Sequence, residues 1–195
     1  LSLPMDISIT TTMDALSHSF ESIWNKKAND TSTDLAISAI CSILNHASAL
    51  KEKPKDLEIR NHLLKASTVA GLAFSNTTTA AAHSISYPLT IHHGIPHGVA
   101  SSISLLPLLE INGPLIKEPL DRICKNNELT YDELKQTIKE IPQGVVPFRL
   151  DKWGISKDQL PKLADESFTK GRMDNNIVDL STDDVLGILE ELYSV

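Results

Sequence analysis

The feature that most constrains this chain is the recurrence of its apolar residues at helical spacing almost from end to end. No alternating run is long enough to make a useful strand. Residues 13–25 carry Met13, Leu16, Phe20, Ile23 and Trp24 at intervals of three and four, an amphipathic helix with Thr12 as its expected N-cap. Residues 33–50 are Ala-rich and apolar on more than one face, which predicts a buried helix, and 57–75 repeat the pattern. Within 76–98, Pro88 is expected to end a short helix, and Gly94, Pro96 and Gly98 to punctuate a loop. Pro96-His97 then opens a strongly apolar helix running to Asn112. Beyond 113 the chain is more polar, with short amphipathic helices expected near 115–126, 130–140, 156–169 and 182–193. Asp132, Ser156 and Ser181 or Thr182 are their expected caps. The expectation is an all-α fold, a helical bundle forming one domain over 1–195, with a peripheral C-terminal part.

Composition narrows the classes of function. With 195 residues the chain can bury a real core, and aromatics at 5% leave that core to Leu, Ile, Val and Ala. The net charge of −7 repels phosphate backbones, so nucleic acid is not an expected partner. Cys41 and Cys124 are too far apart and too unlike in context to suggest a disulfide framework, and nothing resembles a signal peptide. A reducing cytoplasm is therefore expected. No apolar run approaches bilayer length, so no membrane partner is expected. The sequence opens on Leu1 rather than Met, as a chain cut from something longer would.

Chemistry concentrates in a few residues. Asp14 and His18 stand i, i+4 on the first strong helix, one turn apart on one face, where a carboxylate oxygen and an imidazole nitrogen can converge on one ion. His83 lies in an Ala-rich apolar segment, and His97 follows Pro96 at a helix start. Singly, each has an ordinary reading: a capping Asp, a surface His, a packed core His. Together they give four O/N donors and no thiolate. Such a set suits Fe(II), Zn(II), Co(II) or Mn(II) and leaves room for a substrate oxygen, whereas structural zinc sites are more often closed and cysteine-rich.

The surrounding segments carry a resemblance. MDALSHSFES, from Met13, resembles the first metal motif of the iron-containing (group III) alcohol dehydrogenases. AGLAFSNTTTAAAHSISYPLTIHHGIPHGVASSISLLPLLEIN, from Ala70, is similar to that family's second signature, with its two histidines separated by 13 intervening residues and its PHG element. RMDNNIVDLSTDDVLGIL, from Arg172, resembles the family's C-terminal pattern. The resemblance implies that Asp14, His18, His83 and His97 hold Fe(II) or Zn(II). It implies reversible hydride transfer between NAD(H) or NADP(H) and a small alcohol or aldehyde, in a homo-oligomer, a dimer or larger. It also implies an architecture like the C-terminal domain of dehydroquinate synthase-like proteins.

Two departures from the family pattern stand out. Where many members have a further His four residues after the one matched by His83, this chain has Tyr87, whose phenol is a candidate proton relay. HSISYPLT itself resembles the branch that reduces phosphonoacetaldehyde to hydroxyethylphosphonate, with His92 and His93 as candidate pocket residues for the phosphonate. The family's nucleotide-binding α/β domain, with its glycine-rich loop, has no counterpart among these residues, of which only 8 are Gly. The cofactor would then be gripped largely by residues elsewhere, and this chain alone is expected to show little dehydrogenase turnover. Two rival readings remain. One is a metal-dependent lyase or hydrolase of the dehydroquinate synthase-like architecture, and the other is a non-catalytic helical interaction domain with incidental histidines. Glu21 is a candidate acceptor for a ligating imidazole. Arg149 and Lys152 beside Trp153 read as a solvated edge, and Asn175 and Asn176 as a side-chain-stabilised turn.

Overall fold

The computed structural model describes residues 2–194, so Leu1, and the chain opening noted above, lies outside the described residues, as does Val195. Among the described residues ten α-helices follow one another: α1 (Met5–Ile23), α2 (Asp30–Glu52), α3 (Leu57–Thr77), α4 (Ala81–His93), α5 (His97–Ala100), α6 (Leu105–Asn112), α7 (Lys117–Asn126), α8 (Tyr131–Glu140), α9 (Leu160–Glu166) and α10 (Thr182–Ser194). Short 3-10 turns join some of them. Among the described residues the only β pairing is a single bridge between Asn25 and Asn176. The all-α expectation is met.

The helices α1, α2 and α3 pack along one another, and α4 and α5 lie against α1. One contiguous core runs from Ile9 in α1 to Leu192 in α10. Its largest fully buried side chains include Trp24 and Phe20, and the rest are mainly aliphatic, as the scarcity of aromatics requires.

Several boundaries differ from the sequence expectation, each for a physical reason. Helix α1 starts at Met5, so Thr12 is not its cap. The Thr12 hydroxyl instead donates to the Ser8 carbonyl at 2.8 Å, and Ser8 to the Pro4 carbonyl at 2.8 Å, so the polar run satisfies itself inside the helix. Burying Ile9 and Met13, both essentially inaccessible, contributes roughly 1.5–3 kcal/mol each. A helical Thr costs at most about 0.7 kcal/mol relative to Ala, so burial wins.

Pro88 does not end α4 but lies buried within it. The neighbouring Ser86 hydroxyl donates to the His83 carbonyl at 2.7 Å, local back-bonding of the kind found where a helical ladder is interrupted. The helix stops instead at Gly94, whose φ of 64° is left-handed. The single apolar helix expected from His97 to Asn112 is broken into α5 and α6 by a turn over Ser101–Ser104. There the Ser102 hydroxyl takes the Gly98 carbonyl at 2.5 Å. Pro107 then falls in the first turn of α6, where its missing N–H costs little. Gly98 belongs to α5 rather than to a loop.

The cap of α8 is Thr130, not Asp132; Thr130 and Glu133 form a reciprocal capping box. Ser156 pairs in the same way with Gln159, and Ser181 with Asp184. The 156–169 segment is a 3-10 turn followed by the shorter α9.

Candidate metal centre

Helices α1, α4 and α5 bring the four candidate ligands together. Asp14 projects from mid-α1, and His83 from the first turn of α4, 4% exposed. His97, at the start of α5, is 52% exposed. One donor atom from each of Asp14, His83 and His97 lies within 4.8 Å of the others. His83 Nε2 stands 3.5 Å and His97 Nε2 3.6 Å from the same Asp14 oxygen, Oδ1. His18 Nε2 faces the other oxygen, Oδ2, at 3.7 Å. His18 thus joins the group through Asp14 rather than as a member of that closest triad. Its ring is sandwiched between Phe74 and His83, with centroids 4.2 Å away on each side.

Supporting contacts fix these side chains. Ser101 Oγ donates to Asp14 Oδ1 at 2.6 Å, and the Ser101 carbonyl accepts from the Ser17 hydroxyl at 2.6 Å, tying α5 to α1. Glu21, at 0% exposure, accepts from the His83 backbone N–H at 3.1 Å and from its ring Nδ1–H at 2.6 Å. That contact orients the ring so that Nε2 faces Asp14. The expectation that Glu21 acts as an acceptor for an imidazole holds, but the imidazole is that of His83 across the helix interface. Sequence reasoning missed Gly98. A Cβ placed there would meet the Thr10 carbonyl oxygen at 2.4 Å, so only glycine lets α5 approach α1 closely enough to set His97 beside Asp14.

The electrostatics follow from two carboxylates and three imidazoles in little solvent. Burial works against ionisation of Asp14, but the close approach of His83, the neighbouring His18 and the Ser101 hydroxyl outweigh it and lower its pKa to about 2. Burial and the charge of His83 push His18 down to about 4. His83 also resists charging through burial, yet Glu21 and Asp14 raise it to about 9.

The other sequence-predicted residues fall outside this cluster. Tyr87 sits one turn beyond His83 on α4, half-buried, with the Arg172 guanidinium carbon 4.9 Å from its ring centroid. His92 and His93 are not in a loop but in the last turn of α4. His92 Nε2 pairs with Glu166 at 2.9 Å, a carboxylate neighbour that disfavours an anion beside His92. Arg149 is taken up by Asp151 through two hydrogen bonds, and Trp153 donates to the Pro147 carbonyl, as a solvated edge requires. Asn175 and Asn176 do bond backbone carbonyls, but their amides also bridge to Thr78 and Asn112 on distant elements.

One carboxylate and three imidazoles, with no thiolate among them, thus meet at the junction of three helices, a donor set of the N/O type. Comparison with known proteins then gives the family. Residues 8–193 match the Fe-containing alcohol dehydrogenase family, C-terminal, and the chain belongs to that family. It is 28% identical to the 4-hydroxybutyrate dehydrogenase of Clostridium kluyveri, over 98% of this chain and 54% of that protein. It is 27% identical to the NADPH-dependent butanol dehydrogenase of Clostridium saccharobutylicum, over 98% of this chain and 52% of that protein. Among solved structures it is similar to sulfoacetaldehyde reductase from Bifidobacterium kashiwanohense in complex with NAD+. That match has a TM-score of 0.89 and 27% identity and covers 99% of this chain and 52% of that one. The fold of a 1,3-propanediol oxidoreductase superimposes with a TM-score of 0.90 at 22% identity, over 98% of this chain and 53% of that one. The chain therefore spans about half the length of the curated relatives it matches. Among the described residues, no single helix is long and apolar enough to cross a membrane.

Proposed function

We propose that this chain is the metal-holding half of an NAD(P)-dependent alcohol dehydrogenase or aldehyde reductase, with Asp14, His18, His83 and His97 holding a divalent ion, Fe(II) or Zn(II). The observation that carries the reading is the spacing of the donors. The three N···O separations of 3.5–3.7 Å are too long for good hydrogen bonds. They are close to the roughly 3.4 Å expected of two atoms each about 2.1 Å from one tetrahedral ion. His83 Nε2 and His18 Nδ1 are buried without a hydrogen-bond partner, a cost that coordination would remove for Nε2. A divalent cation there would also face the Asp14 carboxylate directly.

When bound, such an ion supplies Lewis-acid polarisation of a carbonyl oxygen, and the nicotinamide supplies the hydride. The chain's own residues do the rest. Glu21 holds the His83 ring with Nε2 turned inward. Ser101 holds Asp14. The exposed His97 edge leaves an approach for a small aldehyde or alcohol, and Tyr87, one turn along α4 from His83, is the residue we assign to proton relay. The relatives named above include enzymes of 4-hydroxybutyrate, butanol and sulfoacetaldehyde. For this chain we propose a small aldehyde, with phosphonoacetaldehyde the candidate suggested by HSISYPLT. A dimeric assembly and a reducing, cytoplasmic setting belong to the same reading, the latter supported by Cys41 and Cys124 standing as free thiols. Nucleic acid and membranes are not partners in it.

The test is steady-state reduction of small aldehydes by the complete gene product with NADH and with NADPH. Metal-dependent turnover that requires the nicotinamide is expected. Turnover of a substrate without any nicotinamide would transfer the case to a lyase or hydrolase.

A further inference from the structure

Beside the donor cluster, a cleft of about 420 Å³ lies between the C-terminal end of α3 and the loop preceding Met173; Phe74, Ser75, Thr78, Thr79, Lys170 and Arg172 line it. Its charge is basic. Among the described residues neither Lys170 nor Arg172 has a carboxylate within 4.0 Å, whereas Arg122 is taken by Asp34 and Arg149 by Asp151. The Arg172 guanidinium is half-buried and braced from two sides. The Tyr87 ring lies under it at 4.9 Å, and Nη1 donates to the buried Thr79 Oγ1 at 2.8 Å. A guanidinium carries five N–H donors, and among the described residues this one uses a single bond, to a neutral hydroxyl. A cation fixed in this way, with most of its donors unspent, matches an oxyanion in charge and in planar fork geometry.

The cleft also adjoins the metal centre. Phe74, on its wall, is stacked on His18 with centroids 4.2 Å apart and planes at 16°. Tyr87, beneath Arg172, is one helical turn from His83, about 5.4 Å of rise. Phe74 thus links the cleft to His18, and Tyr87 links Arg172 to the helix that carries His83.

We propose that Arg172, with Lys170 and the Thr78 hydroxyl, forms a subsite for the anionic end of the substrate, a phosphonate, sulfonate or carboxylate carried on a short-chain aldehyde. The proposal rests on the functional reading above for the position of the aldehyde end, but the anion site itself is built from this chain alone. Tyr87 takes a second role here as the platform that holds Arg172. His92 and His93, at the far end of α4 beside Glu166, take no part.

The test is titration of ethylphosphonate, ethanesulfonate and butyrate into the 195-residue chain, metal-free and metal-loaded, by calorimetry and by NMR shifts of the Arg172 side chain and Tyr87 ring. Neutral 1-propanol is the control. Saturable 1:1 binding of at least one anion is expected, with shifts at both reporter groups. Arg172→Ala should weaken it by tenfold or more, Lys170→Ala by less, and Arg172→Lys should keep part of it. Melting curves establish that each variant is folded. Binding that is unchanged in a folded Arg172→Ala variant would overturn the proposal. So would the absence of binding by all three anions. Displacement of ethylphosphonate by inorganic pyrophosphate or NADH with tighter affinity would assign the site to cofactor phosphates and overturn it as well. Anion binding in a chain that fails to take up a divalent ion would sink the proposed function and leave the subsite standing. Ion uptake without anion binding would do the reverse.

Discussion

Glu21 and His83 meet through two hydrogen bonds, one to the His83 backbone N–H at 3.1 Å and one to its ring Nδ1–H at 2.6 Å. One fully buried carboxylate thus fixes both the position of α4's first turn and the face that the His83 ring turns to Asp14. In Glu21→Gln the amide NH2 must confront one of those two donors. Removing such a partner of a ligating His typically costs 10–100-fold in metal affinity. The expected result is a loss of that size in chelator-competition titrations, with the helical circular-dichroism spectrum retained.

His83 and His97 should separate structure from ligation. His83→Ala leaves Glu21 buried without its partner, and breaking a buried charged pair costs about 3–5 kcal/mol. His97 is half-exposed and has no such dependant. Urea unfolding should therefore show His97→Ala within about 0.5 kcal/mol of wild type, while ion binding falls sharply in both variants. An equal loss of stability in the two would contradict this division of roles.

Gly98 faces the Thr10 carbonyl so closely that a methyl group has no room. Gly98→Ala must move α5 off α1, a repacking that costs about 1–3 kcal/mol. Since Ser101 and His97 both travel with α5, metal affinity should fall along with the melting temperature. A variant that kept wild-type affinity would show that His97 is not needed in its present place.

Asn112 and Asn176 are both fully buried and exchange amide hydrogen bonds at 3.2 and 2.9 Å. Removing either orphans the other, at about 1–3 kcal/mol. Removing both should cost less than the sum of the single changes, and a double-mutant cycle by urea unfolding should give a coupling of roughly 1 kcal/mol or more.

Much of this was legible in the sequence because the informative signals were local. The i, i+4 spacing of Asp14 and His18 lies within one helix, and the apolar periodicity of α1 to α3 reports one buried face each. What escaped was set by neighbours distant in the chain. The start of α1 at Met5 depends on burial of Ile9 and Met13 by other helices, not on the polar run around Thr12. Glu21 is three residues beyond His18 in the chain, but its partner is His83 because α4 packs against α1 at that level. Gly98 reads as loop punctuation, while its actual constraint is the Thr10 carbonyl. Arg172 drew notice only as the start of a family pattern; its pairing with Tyr87 is tertiary.

The central claim is that Asp14, His18, His83 and His97 hold one divalent ion, and Co(II) titration of the chain, followed by its visible d–d absorption, tests it most directly. One Co(II) per chain is expected, with bands characteristic of N/O coordination and no thiolate charge transfer. Asp14→Ala and His97→Ala should abolish those bands. A wild-type chain that takes up no Co(II), or one whose spectrum survives both substitutions, would contradict the account.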